Sequence, residues 1–325
     1  MVHTTVVGTY PRIGDTSEEQ ALRRAIARLD RGEIGEADLR AVERDTVRAV
    51  LREQNEIGID LVTDGLISWY DSQSHLAGKF ASIETNGLVR YFDTNTYYRQ
   101  PVVRGPVAWK EPILVDEWKF AQSNSNAPVK AVLTGPVTLA SLALNKHYRS
   151  KKALALDLAT AIGEEVGALV EAGASHVQID EPILTRYPDD LSLVSEALER
   201  IRLNKAKSTL TLFTFFGDVS TIYQDLEDVP AEVLGLDLVQ GSATWPAIAK
   251  HGSTKPLVLG LIDARNTKDE DPAAVAKKTL EVKGAVDLKT SYLSPSNGLE
   301  FLPRHQARKK LRILHAAAKK VGVGA

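Results

Sequence analysis

Eight short runs of apolar and β-branched residues recur along this chain, and long amphipathic segments follow most of them. The candidate strands lie at 4–8, 60–63, 129–134, 176–179, 209–215, 236–239, 257–262 and 287–292. The candidate helices lie at 17–57 in two pieces, 153–171, 191–204, 273–283 and 304–320. This alternation is typical of parallel strands joined by helical crossovers. It predicts an α/β fold, a (β/α)8 TIM barrel that occupies residues 1–325 as a single domain. The Gly-x-Gly-x-x-Gly turn of a doubly wound sheet is not found.

Residues 82–109 interrupt the alternation. Thr85-Asn86-Gly87 has the composition of a tight hairpin turn and lies between Ile83 and the run that begins at Leu88. Asn-Gly between two strand-like runs is a strong hairpin signal. We therefore expect a β-hairpin insertion on the barrel, with its turn at this position.

Composition excludes several classes of function. Lys and Arg number 40 and Asp and Glu 42, so no polyanion and no nucleic-acid partner is implied. Cysteine is absent, which removes disulfides, thiolate metal sites and cysteine nucleophiles. The seven histidines show no spacing typical of metal ligands, so no metal is expected. No apolar run reaches the ~18 residues of a membrane span, and no signal-like start is visible. The prediction is a cytoplasmic protein with no membrane partner.

Polar side chains follow each predicted strand, and TIM barrels place their active sites at these strand ends. We predict Asp180 and Glu181 as catalytic acid/base residues acting on a small-molecule substrate. The predicted substrate-binding residues, all from the same strand ends, are Thr9, Tyr10, Arg12, Asp64, Trp69, Tyr70, Gln178, Gln240, Arg265 and Asn297.

The residue types leave alternatives open at several positions. Gln178 and Asp180 share one face of their strand, so Asp180 could contact substrate or could cap a helix or pair with Arg265. Arg12 and Arg265 could clamp a carboxylate or a phosphate, or lie on the surface. Trp69 and Tyr70 could stack on a planar ring or only pack at the barrel mouth, and Asp64 could be an ordinary turn residue.

The strand-end segments together resemble the cobalamin-independent methionine synthase family over essentially the whole chain. The segments that carry the resemblance are Gly8-Thr9-Tyr10-Pro11-Arg12-Ile13-Gly14, Asp64-Gly65, Leu133-Thr134-Gly135-Pro136-Val137-Thr138 and Val177-Gln178-Ile179-Asp180-Glu181-Pro182. The family's full-length enzyme has two related barrels, and its C-terminal barrel transfers a methyl group from methyltetrahydrofolate to homocysteine at a zinc site. Segments such as Ser68-Trp69-Tyr70-Asp71 and Phe92-Asp93-Thr94-Asn95 are more similar to the zinc-free N-terminal barrel, here as its own chain.

The resemblance also shows where this sequence departs from the family. The zinc ligands of the catalytic barrel correspond to Phe213, Phe215, Gln240 and Asn297. The Glu that holds the homocysteine amino group corresponds to Leu66, whereas Asp180 and the Thr9 position are retained. The basic residues expected for a folate tail after Arg12 are preceded here by Asp15-Thr16-Ser17-Glu18-Glu19.

Three hypotheses follow. A thiol with a pKa near ~8.5 is mostly protonated at neutral pH, and the family uses zinc to present the thiolate. The first hypothesis is therefore a zinc-lacking subunit in methyl transfer to homocysteine, working with a zinc-bearing partner barrel and with a folate as the candidate methyl donor. The second is a stand-alone, metal-independent enzyme acting on a small acid or thioether. The third is a non-catalytic binding module.

Overall fold

The computed structural model describes residues 2–323 and contains ten strands in two sheets. The strands are β1 (His3–Thr4), β2 (Ile83–Arg90), β3 (Tyr97–Val103), β4 (Ala131–Thr134), β5 (Leu144–Asn145), β6 (His176–Asp180), β7 (Thr209–Thr214), β8 (Val233–Asp237), β9 (Leu257–Ile262) and β10 (Tyr292–Pro295). The larger sheet has seven parallel strands in the order β1-β10-β9-β8-β7-β6-β4. The smaller sheet has the order β2-β3-β5.

Eleven helices are present in the described part of the chain. They are α1 (Ala21–Asp30), α2 (Glu36–Ile57), α3 (Ser74–Ala77), α4 (Val115–Ser123), α5 (Pro136–Leu142), α6 (Lys151–Glu171), α7 (Leu191–Arg202), α8 (Tyr223–Leu226), α9 (Thr244–His251), α10 (Pro272–Leu280) and α11 (Arg304–Val323). The helices predicted from periodicity are confirmed as α1, α2, α6, α7, α10 and α11. Over residues 2–323, no helix combines the length and the hydropathy that a membrane span requires.

The large sheet is a curled, parallel half-barrel buried on both faces. Every residue of β4, β8 and β9 is buried, because helices cover the outer face and side chains fill the inner one. The predicted α/β class is confirmed. Several strand bounds differ from the prediction: β10 begins at Tyr292, where the predicted eighth strand ends, and β8 begins at Val233 rather than at Leu236.

The predicted second strand at 60–63 is not a continuous strand. Leu61 forms one parallel bridge with Thr5, and Val62 forms another with Val129, so this pair lies between the two edges of the sheet. The backbone of Thr63 bonds instead to the Gln54 side chain of α2: Gln54 Nε2 donates to the Thr63 carbonyl at 2.8 Å, and the Thr63 N–H donates to Gln54 Oε1 at 3.2 Å. The side-chain amide therefore replaces the next ladder bonds.

The predicted insertion is an antiparallel hairpin formed by β2 and β3, but its turn was predicted at the wrong place. Ile83 pairs with Val103 and Arg90 with Tyr97, so the chain reverses at residues 91–96. Asn86 and Gly87 instead form a bulge opposite Gln100, where the register shifts. An Asn-Gly pair suits a bulge as well as a turn, because both need a local departure from strand geometry.

Candidate active site

A cavity of about 140 Å³ opens at the carboxyl ends of the parallel strands, beneath the β2–β3 hairpin. Its polar lining includes Thr9, Arg12, Thr134, Asp180 and Glu300. Of the residues predicted from sequence, Thr9, Tyr10, Arg12, Trp69, Tyr70 and Asp180 line this cavity. The strand-end rule therefore brings half of the twelve predicted residues to one place.

Asp180 and Glu300 are two half-buried carboxyl groups in the cavity wall. Asp180 ends β6, and its Oδ1 accepts a hydrogen bond from Gln178 Nε2 at 2.7 Å. Glu300 lies in the 3₁₀ turn Leu299–Phe301 after β10 and accepts from the Thr9 hydroxyl. Burial raises the pKa of both carboxyl groups above their ordinary values. Glu300 was not among the predicted site residues, although Glu300 follows the end of β10 by only a few residues.

A buried network beneath the cavity connects Asp180 to Lys130. The Lys130 ammonium donates to Gln178 Oε1 at 2.6 Å and to the Val6 carbonyl at 2.8 Å. Gln178 also donates to the Val7 carbonyl at 2.8 Å, so its amide is fully engaged and does not line the cavity. Burial lowers the pKa of Lys130, although the nearby Asp180 opposes this. Gln178 thus orients Asp180 and connects it to Lys130, a residue that was not predicted as part of the site.

Glu181 points away from the cavity and caps helix α5. Its two oxygens accept from the backbone N–H groups of Val137 at 2.8 Å and Thr138 at 2.7 Å, and from the Thr138 hydroxyl at 2.6 Å. Burial raises its pKa to about 7, and these hydrogen bonds oppose the shift. Of the predicted catalytic pair, therefore, only Asp180 lines the cavity. The capping role that the sequence left open for Asp180 belongs to its neighbour.

Arg12 brings a positive charge into the cavity wall. Its Nε and Nη2 atoms are buried and have no hydrogen-bond partner among the described residues. Burial lowers the pKa of this guanidinium, and the nearby Glu43 opposes that shift. The Tyr70 ring, 5.5 Å from the Arg12 guanidinium, also lies 4.8 Å from that of Arg99. A carboxylate ligand would supply the partner that Arg12 lacks.

Aromatic rings form most of the remaining wall. They are Trp69, Tyr70, Tyr91, Tyr97, Tyr98, Phe215 and Phe216. Tyr91 packs edge-on against Tyr98 at 6.1 Å and against Phe216 at 6.0 Å between ring centroids. Leu66 and Phe216, both in the lining, have φ of 50° and 73°. Such left-handed backbone costs about 1–3 kcal/mol per residue and is typical of functional sites.

Tyr10 contributes to the wall, but its hydroxyl points outward. The hydroxyl donates to Glu53 Oε2 at 2.9 Å, and Glu53 is also paired with Arg304 of α11. Burial raises the pKa of Tyr10, and the Glu53 carboxylate adds to this effect. Tyr10 is thereby fixed by a structural ion pair.

Asp64 lies outside this cavity, in a smaller one of about 20 Å³ behind Trp69. Glu117 shares that space, and burial together with Glu117 raises the pKa of Asp64 to about 6. Glu117 accepts from Trp69 Nε1 at 3.3 Å and lies 3.1 Å from His75 Nε2. The His75 ring stacks on Trp69 with centroids 4.8 Å apart. This cluster therefore supports Trp69 from behind.

Arg265 also lies outside the cavity and contacts the tip of the hairpin. Its Nη2 donates to the Asp93 carbonyl at 2.9 Å, and Arg186 Nη2 pairs with the Asp93 carboxylate at 2.5 Å. The Arg265 guanidinium stacks over Phe216 and Phe301 at 5.6 and 5.7 Å. The anion clamp predicted for Arg12 and Arg265 is thus divided: Arg12 faces the cavity, and Arg265 fastens the hairpin above it.

The four positions that the resemblance matches to zinc ligands form two separate pairs, and neither pair suits zinc. Phe213 and Phe215 pack with ring centroids 6.1 Å apart and offer no donor atom. Asn297 Nδ2 donates to Gln240 Oε1 at 3.2 Å, and neither amide lines the cavity. Zinc in proteins is bound by Cys, His, Asp or Glu. Within residues 2–323, no group of three or more such side chains is placed to hold a metal ion.

The comparison with known families decides the affiliation. The model of the cobalamin-independent synthase catalytic domain matches residues 2–320. This chain belongs to the cobalamin-independent methionine synthase family. The matching model describes the catalytic domain, whereas the strand-end segments had indicated the zinc-free N-terminal barrel.

Relatives in the family have similar lengths. The methionine synthase of Saccharolobus solfataricus is 33% identical over 314 residues, which cover 96% of this chain and 92% of that protein. The methionine synthase of Thermococcus kodakarensis is 28% identical over 95% of this chain and 90% of its own length.

Solved structures of the family share the fold. A B12-independent methionine synthase from Shewanella sp. W3-18-1, solved with selenomethionine, superposes with a TM-score of 0.84 at 21% identity, covering 100% of this chain and 98% of that one. A putative vitamin-B12-independent methionine synthase from Listeria monocytogenes gives 0.78 at 19% identity, with 98% of each chain covered.

Proposed function

We propose that this chain takes part in methyl transfer to homocysteine as a zinc-lacking subunit that works with a zinc-bearing barrel on another chain. Family membership supports the reaction class. The division of labour rests on one observation: Phe213, Phe215, Gln240 and Asn297 stand where the family's zinc ligands are expected. A free alkyl thiol such as that of cysteine has a pKa of about 8.5, so a homocysteine thiol is mostly protonated at neutral pH. The thiolate would therefore form on the partner chain.

The cavity's charges support a zwitterionic small molecule as its ligand. Arg12 has buried donors without a partner among the described residues, and Asp180 and Glu300 are half-buried carboxyl groups in the same wall. A small acid that also carries a cationic group complements these charges. The Shewanella relative was solved with selenomethionine, which has both groups. We propose that Arg12 and Asp180 bind the ligand, with Thr9 positioning Glu300.

A second candidate function is a stand-alone enzyme that acts on a small acid or thioether without a metal. The raised pKa of Asp180 favours it, because a carboxyl group that keeps its proton near neutral pH can act as a general acid. In this case Asp180, rather than the Glu181 cap, would carry the proton. A non-catalytic binding module would bind the same ligands without turnover.

The closure of the sheet into a complete barrel is part of the same proposal. Leu61 and Val62 would complete a closed (β/α)8 barrel, since their bridges reach Thr5 and Val129 beside the two edge strands. The single-domain organisation, the cytoplasmic location and the folate methyl donor remain predictions.

The proposal is tested by mixing the purified chain with a family member that metal analysis shows to contain zinc. Methionine formation from homocysteine is measured with methyltetrahydrofolate in one arm and a methylsulfonium compound in the other. We expect saturable stimulation that Asp180→Asn abolishes and that Glu196→Gln, an exposed substitution on α7, leaves intact. An absence of stimulation with both donors contradicts the proposal. Turnover by this chain alone, without metal, would favour the second candidate.

A further inference from the structure

We propose that the cavity binds a small carboxylic acid bearing a methylated onium group, a sulfonium or quaternary ammonium cation, enclosed by its aromatic wall and by Asp180 and Glu300. This inference rests on the proposed function, because it names the class of methyl donor that the subunit would hold. It also assigns Glu300 as a second cation-binding carboxylate, in the same cavity wall as Leu66, which the resemblance matches to a glutamate of the family.

The aromatic wall has the arrangement that such a cation needs. Tyr91 meets Tyr98 and Phe216 at interplanar angles of 79° and 80°, and Phe215 meets Phe216 at 87° with centroids 4.7 Å apart. All four rings also line the cavity, so an enclosed group contacts aromatic side chains on more than one side. Ring faces attract cations, and aromatic cages are a known means of recognising methylated onium groups.

The two carboxyl groups explain why the occupant should be charged. Within residues 2–323, no Lys, Arg or His side chain lies within salt-bridge distance of Asp180 or Glu300, and Lys130 contacts Asp180 only through the Gln178 amide. Burial accordingly shifts both toward the protonated form. A cation in the cavity would stabilise both carboxylates. A neutral apolar group would fill the same space and leave them unpaired.

The wall also favours a methylated cation over a primary ammonium. A primary ammonium has three N–H donors, for which the wall offers two carboxyl groups and otherwise aromatic rings, which are only weak acceptors. An onium group spreads its charge over methyl groups that pack against rings without needing hydrogen bonds. The carboxylate at the other end of the ligand would pair with the buried Nε and Nη2 of Arg12.

A sulfonium donor would also simplify the chemistry. The methyl carbon forms a bond to the homocysteine thiolate, and its bond to the donor sulfur breaks with the electron pair left on that sulfur. One cation and one anion become two neutral thioethers, and no proton moves. Methyltetrahydrofolate requires a proton on its leaving nitrogen. The acidic segment 15–19 precedes the basic residues expected for a folate tail, and two of its carboxylates are already paired within the chain. Asp15 pairs with His305 at 2.7 Å, and Glu19 pairs with Arg308 at 2.9 Å.

The test is calorimetry on the full chain with three ligands of matched shape or charge. The probe is 3-(dimethylsulfonio)propanoate, the isostere that keeps the carboxylate but lacks the cation is 4-methylpentanoate, and the primary amine is 3-aminopropanoate. We expect the probe to bind at least about tenfold more tightly than either of the others. A smaller preference overturns the inference, and this comparison needs no variant.

Glu300→Gln assigns the second carboxylate, because the amide oxygen can still accept from the Thr9 hydroxyl. It should weaken the probe about tenfold and leave the isostere unchanged, whereas the exposed control Glu196→Gln should alter neither. An unaltered probe affinity overturns the role of Glu300. The assay contains no homocysteine and no partner chain. Stimulation by methyltetrahydrofolate without sulfonium binding would thus refute this inference alone, and sulfonium binding without stimulation would refute only the proposed function.

Discussion

At the scale of single residues, the charge on the cavity wall depends on a lysine that no ligand could reach. Lys130 lies in the sheet interior and contacts Asp180 through the Gln178 amide. Its positive charge favours the carboxylate form of Asp180, which burial opposes. Lys130, which lies beneath the cavity, therefore influences the protonation state of Asp180 in the cavity wall.

Lys130→Met should raise the pKa of Asp180 further, because the substitution removes the nearby cation and keeps the side chain's volume. A titration of Asp180 by carbon-13 NMR in aspartate-labelled protein measures this directly, and the increase should be about one unit or more. Lys152→Met, at an exposed position of α6, serves as the matched control. An unchanged or lower pKa in the Lys130 variant would show that the network does not couple the two groups.

Sequence reasoning located some site residues and missed others for identifiable reasons. Asp180 and Arg12 were found because strand order alone brings strand ends to one edge of a parallel sheet. Glu300 and Tyr91 were not predicted. The position of Glu300 depends on a 3₁₀ turn and that of Tyr91 on how the hairpin folds back over the sheet, and no short sequence motif predicts either feature. Glu181 and Gln178 lie at the predicted strand end, but their side chains do not line the cavity: Glu181 caps α5, and Gln178 bonds to Lys130.

At the scale of elements, the β2–β3 hairpin is the part that encloses the cavity. Its tip carries Phe92, which lies 5.8 Å from Phe216 between ring centroids, and Asp93, which both Arg186 and Arg265 contact. Phe92 has a φ of 48°, so the tip has a strained backbone. These contacts fix the hairpin over the strand ends.

Arg265→Ala should loosen the hairpin without unfolding the protein. It removes one hydrogen bond to the Asp93 carbonyl and the stacking on Phe216 and Phe301, at an exposed site where such contacts contribute at most about 1 kcal/mol. Hydrogen exchange at 83–103 should accelerate severalfold while the seven-stranded sheet keeps its protection. Lys268→Ala is the control in the same loop. Equal exchange in wild type and variant would show that Arg265 does not fasten the hairpin.

The hairpin also shows what a local pattern can and cannot predict. Its existence followed from two strand-like runs that do not fit the βα alternation. The position of its turn did not, because Asn-Gly fits a bulge and a turn equally and only the pairing of Thr85 with Pro101 and Leu88 with Arg99 distinguishes them. Pairing is a long-range property that a short motif does not contain.

At the scale of the whole molecule, the C-terminal helix is tied to the first strand's loop by a buried ion pair. Arg304 of α11, with 2% of its side chain exposed, lies 2.9 Å from Glu53 of α2, which also accepts the Tyr10 hydroxyl. A buried charge that loses its partner is costly. Glu53 thus joins α11 to α2 and to the loop after the first strand.

Glu53→Gln should lower the free energy of unfolding by about 3 kcal/mol, because Arg304 would remain buried without a charged partner. Chemical denaturation measures this, with Glu56→Gln on the exposed side of α2 as control. A loss below about 1 kcal/mol would mean that water or Tyr10 compensates, and that the ion pair does not anchor α11.

The proposed division of labour requires that this chain does not generate the homocysteine thiolate. The decisive measurement is the ultraviolet absorbance of the thiolate during a pH titration of homocysteine with excess protein as purified. We predict that the thiol titrates near its free value of about 8.5 with this chain, and at lower pH only when a zinc-bearing family member is added. Thiolate at neutral pH with this chain alone would contradict the claim.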